Sequence, residues 1–290
     1  MLIHKKQRSL NTTSTTPQSP RKVFVTGAGG RIGSAFAEST CKHFDLTLFV
    51  DDDAQKDADR LSAYGKIVTG RLEDIDHFKE ALKGNDTLVH LAAEPSAHAV
   101  WSTLQRDNIT GTYNVFAAAR AAGVRKILYA SSVHAVSGYA PERQIATHFP
   151  VNPGDLYGVT KCFGEALGRY LAERENLVFF AIRIGAFQPR EKLHQSDTRE
   201  ALTLWVSPRD LVQLFERCIE DTSLQFGIFN GISNNRFKGL DISDARELLG
   251  YEPMDDAFSE DPGILDWQLP ELAGQTSRMN PEQSGLREEI

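Results

Sequence analysis

The chain has 290 residues, 41% of them hydrophobic and 24% charged, which suffices for one substantial core with a smaller lobe attached. A formal net charge of -7 argues against nucleic acid or an anionic membrane surface as the main partner. The three cysteines, Cys41, Cys162 and Cys218, lie far apart with no Cys-x-x-Cys pair, and no apolar run is long enough to span a membrane. Zinc clusters, disulfide frameworks and membrane spans therefore drop out, and a reducing, cytoplasmic setting is expected.

Residues 1–20 are polar, rich in Ser and Thr and free of acidic side chains, which predicts a disordered extension. Lys22-Val-Phe-Val25 reads as a strand running into Thr26-Gly-Ala-Gly-Gly-Arg-Ile-Gly33, after which 35–43 reads as a helix. Strand, glycine loop and helix form the context that dinucleotide binding requires. Gly27 permits the tight turn, Gly30 lets backbone approach a pyrophosphate, and Gly33 lets the helix pack close to the sheet. The free N–H groups at the helix start then favour phosphate.

A second strand over 46–50 delivers Asp51 at its end, where a carboxylate can accept hydrogen bonds from adenosine ribose hydroxyls and repel a 2′-phosphate. This selects NAD over NADP. Further strands are predicted over 66–69, 87–93, 126–130 and 177–184, with one long helix over 104–122. Strands alternating with helices imply right-handed crossovers and a doubly wound parallel sheet, an α/β Rossmann-type fold. Ligands of such a sheet lie beyond the carboxyl ends of its strands, the edge shared by Gly27, Asp51, Ala93 and Ser132.

Tyr157 and Lys161 stand four apart in a stretch whose apolar residues Phe163, Leu167, Tyr170 and Leu171 keep helical spacing. A lysine ammonium beside the phenol favours its deprotonated form, which makes Tyr157 a candidate base. Beyond Gly185 the pattern loosens. It resumes as a helix over 208–220, a strand over 226–229 and a helix over 243–249 stopped by Gly250, read as a small lobe over 186–257. Residues 258–290 are polar and predicted to pack loosely. The expected domain plan is thus an extension over 1–20, an NAD-binding core over 21–185, a substrate lobe over 186–257 and a polar tail.

Thr26-Gly-x-x-Gly30-x-x-Gly33, Asp51, His90-Leu-Ala-Ala93, Asn108-x-x-Gly-Thr112, Ser131-Ser132 and Tyr157-x-x-x-Lys161 together resemble the extended short-chain dehydrogenases/reductases, the NAD-dependent epimerase/dehydratase family. Within it, Ser131-Ser132-x-His134, the run Leu156 to Glu165, Arg183-Ile-Gly185 and Trp205-x-Ser207 resemble the uronate dehydrogenases. The resemblance implies an NAD site built from Gly27, Gly30, Arg31, Ile32, Gly33, Asp51, Leu72, Leu91, Ala92, Ala93, Asn108, Tyr157, Lys161 and Ile184. It implies Tyr157 as base, Lys161 as its activator, Ser132 as the holder of the reacting oxygen and Asn108 as a link from Lys161 to a proton path. A plain backbone-bonding role for Asn108 stays open. Ser96, Ser132, His134, Tyr157 and Arg199 would bind the substrate, with Arg190 and Lys192 competing with Arg199 for a carboxylate.

The implied reaction is oxidation of an aldohexuronate at C1 to the lactone. Three departures bear on it: Val133 and Ala186 replace polar residues of the family pattern, and Arg71 replaces an aspartate near the adenine. Another small sugar, a nucleotide-sugar epimerase or dehydratase reaction, and a non-catalytic NAD-binding module remain the alternatives. The partner is a small molecule, with association of copies through the helices flanking the sheet expected by analogy.

Overall fold

In the computed structural model, residues 4–5, 20–195 and 199–260 are described, with the side chains of 4, 5 and 194–201 outside that description. The short β-branched and aromatic runs of the sequence become strands because each is buried on both faces by crossover helices. In chain order the elements are β1 (His4–Lys5), β2 (Lys22–Thr26), α1 (Arg31–Thr40), β3 (Asp45–Asp51), α2 (Gln55–Leu61), β4 (Lys66–Gly70), α3 (Ile75–Leu82) and β5 (Thr87–His90). Then follow α4 (Trp101–Leu104), a π-helical turn (Gln105–Thr110), α5 (Gly111–Ala122), β6 (Lys126–Ser132), a 3-10 turn (Val133–Val136), α6 (Leu156–Arg174) and β7 (Val178–Ile184). The remainder comprises β8 (Ala186–Phe187), a 3-10 turn (Arg190–Gln195), α7 (Arg199–Leu204), β9 (Trp205–Val206), α8 (Pro208–Glu220), β10 (Leu224–Gly231), α9 (Ser243–Leu249) and α10 (Ala257–Glu260).

The main sheet runs β4-β3-β2-β5-β6-β7-β10-β1, parallel throughout except for the antiparallel edge strand β1. The order reverses between β2 and β5, the switch point at which such sheets bind dinucleotides. One face is covered by α1 and α8, whose Phe36 and Phe215 rings meet edge-on at 5.8 Å. The other face is an aromatic layer of Phe24, Phe78, Phe116 and Phe179 beneath α3, α5 and α6.

Several expectations are revised. The stretch 104–122 is not one α-helix: a π turn interrupts it over Gln105–Thr110. The first helix begins at Arg31, inside the glycine motif, because Gly30 is extended (φ -68, ψ 171) and serves as its N-cap. His4–Lys5 forms a strand where the sequence predicts none, and the rest of 1–19, like 261–290, lies outside the described residues. The boundary at Gly185 also shifts. β10 pairs with β7 along its length, from Phe226 opposite Phe179 to Gly231 opposite Ile184, so the carboxyl-terminal part completes the main sheet as well as supplying the small β8-β9 pair. The polar tail starts ordered, with Phe258 against Phe237 at 5.0 Å between ring centroids.

Candidate active site

Gly27 adopts φ +66, and a Cβ there would lie 2.7 Å from the Ala92 nitrogen. A Cβ on Gly33 would lie 2.4 Å from the Gly27 oxygen. Gly30 differs, since its Cβ would meet only the Gly27 oxygen at 3.3 Å. The outer side of the turn is therefore open, and α1 begins there with no side-chain cap on its first N–H groups. That combination of tight inner face, open outer face and uncapped helix start fits a pyrophosphate. Asp51 stands exposed at the end of β3, its Oδ1 accepting from the Asp53 N–H at 3.1 Å. Arg71 pairs with Asp53 at 2.7 Å, which places this departure from the family pattern on the acidic turn that follows Asp51.

A cavity of about 340 Å³ opens beside this cradle, lined among others by Arg31, Ile32, Leu91, Ala93, Ser132, His134, Tyr157, Lys161 and Ile184. These nine of the expected site residues thus meet in one place. Ala92 backs the glycine turn through its main chain. Leu72, Ser96 and Asn108 do not line the cavity. Leu72 packs half-buried on the aromatic layer. The Ser96 N–H donates to Glu94 Oε1 at 2.8 Å. Arg199 opens α7, and its side chain lies outside the described residues, so its expected contact with a carboxylate is not placed.

Asn108 is fully buried in the π turn. Its Oδ1 accepts from the Glu94 N–H at 2.8 Å, and its Nδ2 donates to the Glu94 carbonyl at 3.0 Å and to Thr160 Oγ1 at 3.1 Å. It clamps the loop after β5 onto α6 next to Lys161. A π turn at such a position is a recurrent device of functional sites. The same loop is fixed from below by Thr26 Oγ1, which accepts from the Leu91 and Ala92 N–H groups at 3.2 and 3.3 Å. Its own proton therefore goes to His90 Nδ1, 2.8 Å away, and His90 Nε2 faces Thr112 at 3.4 Å. Burial lowers His90 to about 3, so it works as a neutral ring.

Helix α6 brings Tyr157 and Lys161 to the strand ends by close approach. A Cβ on Gly158 would lie 2.3 Å from the His134 carbonyl oxygen, and one on Gly164 would lie 2.3 Å from the Tyr129 ring. Lys161 Nζ donates to the Ala130 carbonyl at 2.9 Å and sits 5.3 Å from the centre of the Tyr157 ring. Ser132 beside the phenol is the one influence that pulls its pKa down. Burial outweighs it and pushes the phenol up, with the charges of Asp155 and Glu94 adding in the same sense. Burial also lowers Lys161 to about 7. The expected acidification of Tyr157 by Lys161 is thus not realised by the protein alone, because both groups are desolvated and each favours its neutral form.

Beneath the site, Glu165 accepts from Ser131 at 2.6 Å and takes a two-point bond from Arg183, both at 2.9 Å. This buried pair joins β6, β7 and α6 into one floor. Asp155, which the sequence reading passed over, caps α6 through the Gly158 N–H at 2.7 Å and holds His134 Nδ1 at the same distance. Its sequence signal was that of a helix N-cap alone.

Residues 23–206 match the NAD dependent epimerase/dehydratase family. The chain belongs to that family. An NAD-dependent glucose-6-phosphate dehydrogenase of Haloferax volcanii is 34% identical over 253 residues, covering 81% of this chain and 94% of that protein. A uronate dehydrogenase of Pseudomonas putida is 30% identical over 242 residues, covering 83% and 86%. The crystal structure of uronate dehydrogenase from Agrobacterium tumefaciens superposes with a TM-score of 0.74 at 28% identity, covering 86% of this chain and 90% of that one. This member of the epimerase/dehydratase family is accordingly an extended short-chain dehydrogenase/reductase that uses NAD.

Proposed function

We propose that the chain oxidises the C1 hydroxyl of a small sugar to the lactone, with an aldohexuronate such as glucuronate or galacturonate as the first substrate class and Tyr157 as the base. The observation that carries this reading is the convergence of Tyr157, Ser132 and Lys161 on one cavity beside the glycine cradle. Bound NAD+ supplies the hydride acceptor and a positive charge. Ser132 holds the reacting oxygen, and Tyr157 takes its proton as the C1 hydrogen leaves with its electron pair. Lys161, tied to the Ala130 carbonyl, keeps a donor beneath the phenol. The products are lactone, NADH and a proton.

A second reading is an aldose that is no sugar acid: a neutral one is favoured by Val133 and Ala186, which line the cavity with apolar surface, and a phosphorylated one by the likeness to the glucose-6-phosphate dehydrogenase. A site lacking polar partners loses its hold on the corresponding groups of a sugar acid. Incubation with NAD+ and each of glucuronate, galacturonate, glucose and glucose 6-phosphate, followed at the NADH absorbance, separates the two. Turnover of a UDP-sugar with none of these four would transfer the chain to nucleotide-sugar chemistry. Replacing Arg199 by Ala should raise KM for uronates more than for glucose, and equal effects would remove it from carboxylate recognition.

A further inference from the structure

His134 is fixed on every side but one. Its N–H donates to Ser132 Oγ at 3.2 Å, its carbonyl accepts from Ser137 Oγ at 3.0 Å, and its ring stands edge-on to Tyr157 with centroids 5.1 Å apart at 79°. Nδ1 lies 2.7 Å from Asp155 Oδ2, and the Asp155 side chain is wholly buried. An ionised carboxylate only accepts hydrogen bonds, so the proton of this contact belongs to Nδ1. In a neutral imidazole that leaves Nε2 as a bare acceptor. Among the described residues Nε2 has no hydrogen-bond partner, and His134 lines the cavity next to Tyr157 and Ser132.

A sugar held with its reacting oxygen on Tyr157 and Ser132 has two neighbours on the carbon being oxidised: the ring oxygen, which only accepts, and the adjacent carbon with its hydroxyl, which can donate. An acceptor at Nε2 pairs with the hydroxyl and is repelled by the ring oxygen. We infer that Asp155 is a positioning residue that locks His134 as a hydrogen-bond acceptor for the hydroxyl adjacent to the one oxidised, and so sets which way round the sugar lies. This rests on the proposed C1 oxidation. A stranger to this pair is the simpler role of Asp155 as helix cap, which its other oxygen performs.

Asp155→Asn discriminates between the two roles. Asparagine caps a helix as well as aspartate does. If its carbonyl keeps the cap, its amide faces Nδ1 as a donor, which forces the proton onto Nε2 and reverses what the cavity offers. Loss of the Asp155 charge also acts on the Tyr157 phenol, but equally for any two sugars, so a ratio of substrates cancels it. The first measurement is the 15N shift pattern of His134, assigned by its loss in His134→Gln, at about pH 8.5, above the ordinary imidazole range. The Nδ1-protonated form is expected in the native protein and the Nε2-protonated form in Asp155→Asn. A native ring protonated on Nε2 overturns the inference. The second is kcat/KM for whichever of glucose and glucose 6-phosphate is turned over, against its 2-deoxy analogue. A loss of about tenfold or more on removing the hydroxyl, about 1.4 kcal/mol, is expected in the native enzyme and should shrink to within about threefold in Asp155→Asn. An unchanged ratio overturns the inference. If neither sugar is turned over with NAD+, the second reading of function falls while the tautomer measurement still decides the state of His134.

Discussion

Tyr157 and Lys161 were legible in the sequence as a pair, but not their electrostatics, because spacing says nothing about how much water each group loses. The Tyr157 phenol is pushed up by burial, so to serve as the proposed base it must be tuned by what binds beside it. Replacing Tyr157 by Phe should lower kcat by roughly two to four orders of magnitude while calorimetry finds NAD+ affinity within about twofold; full activity would dismiss the residue as base. Lys161 gives a stability test in the ligand-free protein. It sheds its proton near 7 when folded and near 10.5 when unfolded, so between those values the unfolded chain binds more protons and stability rises with pH. The melting temperature of the native protein should therefore gain on that of Lys161→Met between about pH 7 and pH 9, by the equivalent of about 1 kcal/mol or more. A constant difference would show that the ammonium is well solvated. His134 was named from the sequence as a sugar contact, yet its partner Asp155 was invisible, since the two are brought together only when the 3-10 turn folds over the start of α6.

The glycine turn and α1 were the most readable element, because each glycine answers a separate geometric demand. Those demands predict opposite behaviour for two alanine variants. Gly33→Ala places a methyl against main-chain oxygen that cannot rotate away, and overpacking of this kind costs about 1–3 kcal/mol, seen as a melting temperature lowered by roughly 2–6 °C. Gly30→Ala meets little protein and should melt within about 2 °C of the native chain, yet weaken NAD+ binding about tenfold or more by intruding on the phosphate approach. Similar affinity losses in both would show that the outer face of the turn is not where the cofactor lies. The helix over 104–122 was misread as regular because apolar spacing over its two halves is helical in each, and the extra residue between them leaves no compositional trace.

Among the described residues the chain closes around one main sheet, whose parallel plan was legible in the sequence and whose last parallel strand was not. β10 looked like part of a separate lobe because a strand of four apolar residues does not announce its neighbours. In the fold it covers the flank of β7, and α8 behind it seals α1 with Phe215. A chain cut after Gly185 should consequently fail to fold alone: it would bare the β7 edge and half of the core that holds Phe36, giving aggregated protein without a cooperative melt. A soluble, NAD-binding 1–185 fragment would re-establish the lobe boundary that the sequence suggested. The π turn carries a consequence of another kind. It holds one residue more than the helix needs to keep its two flanks in phase, so deletion of a single residue within 105–110 should regularise the helix and turn Asn108 away from Glu94 and Thr160. Chain length at this one place thereby decides whether the loop after β5 is braced against α6.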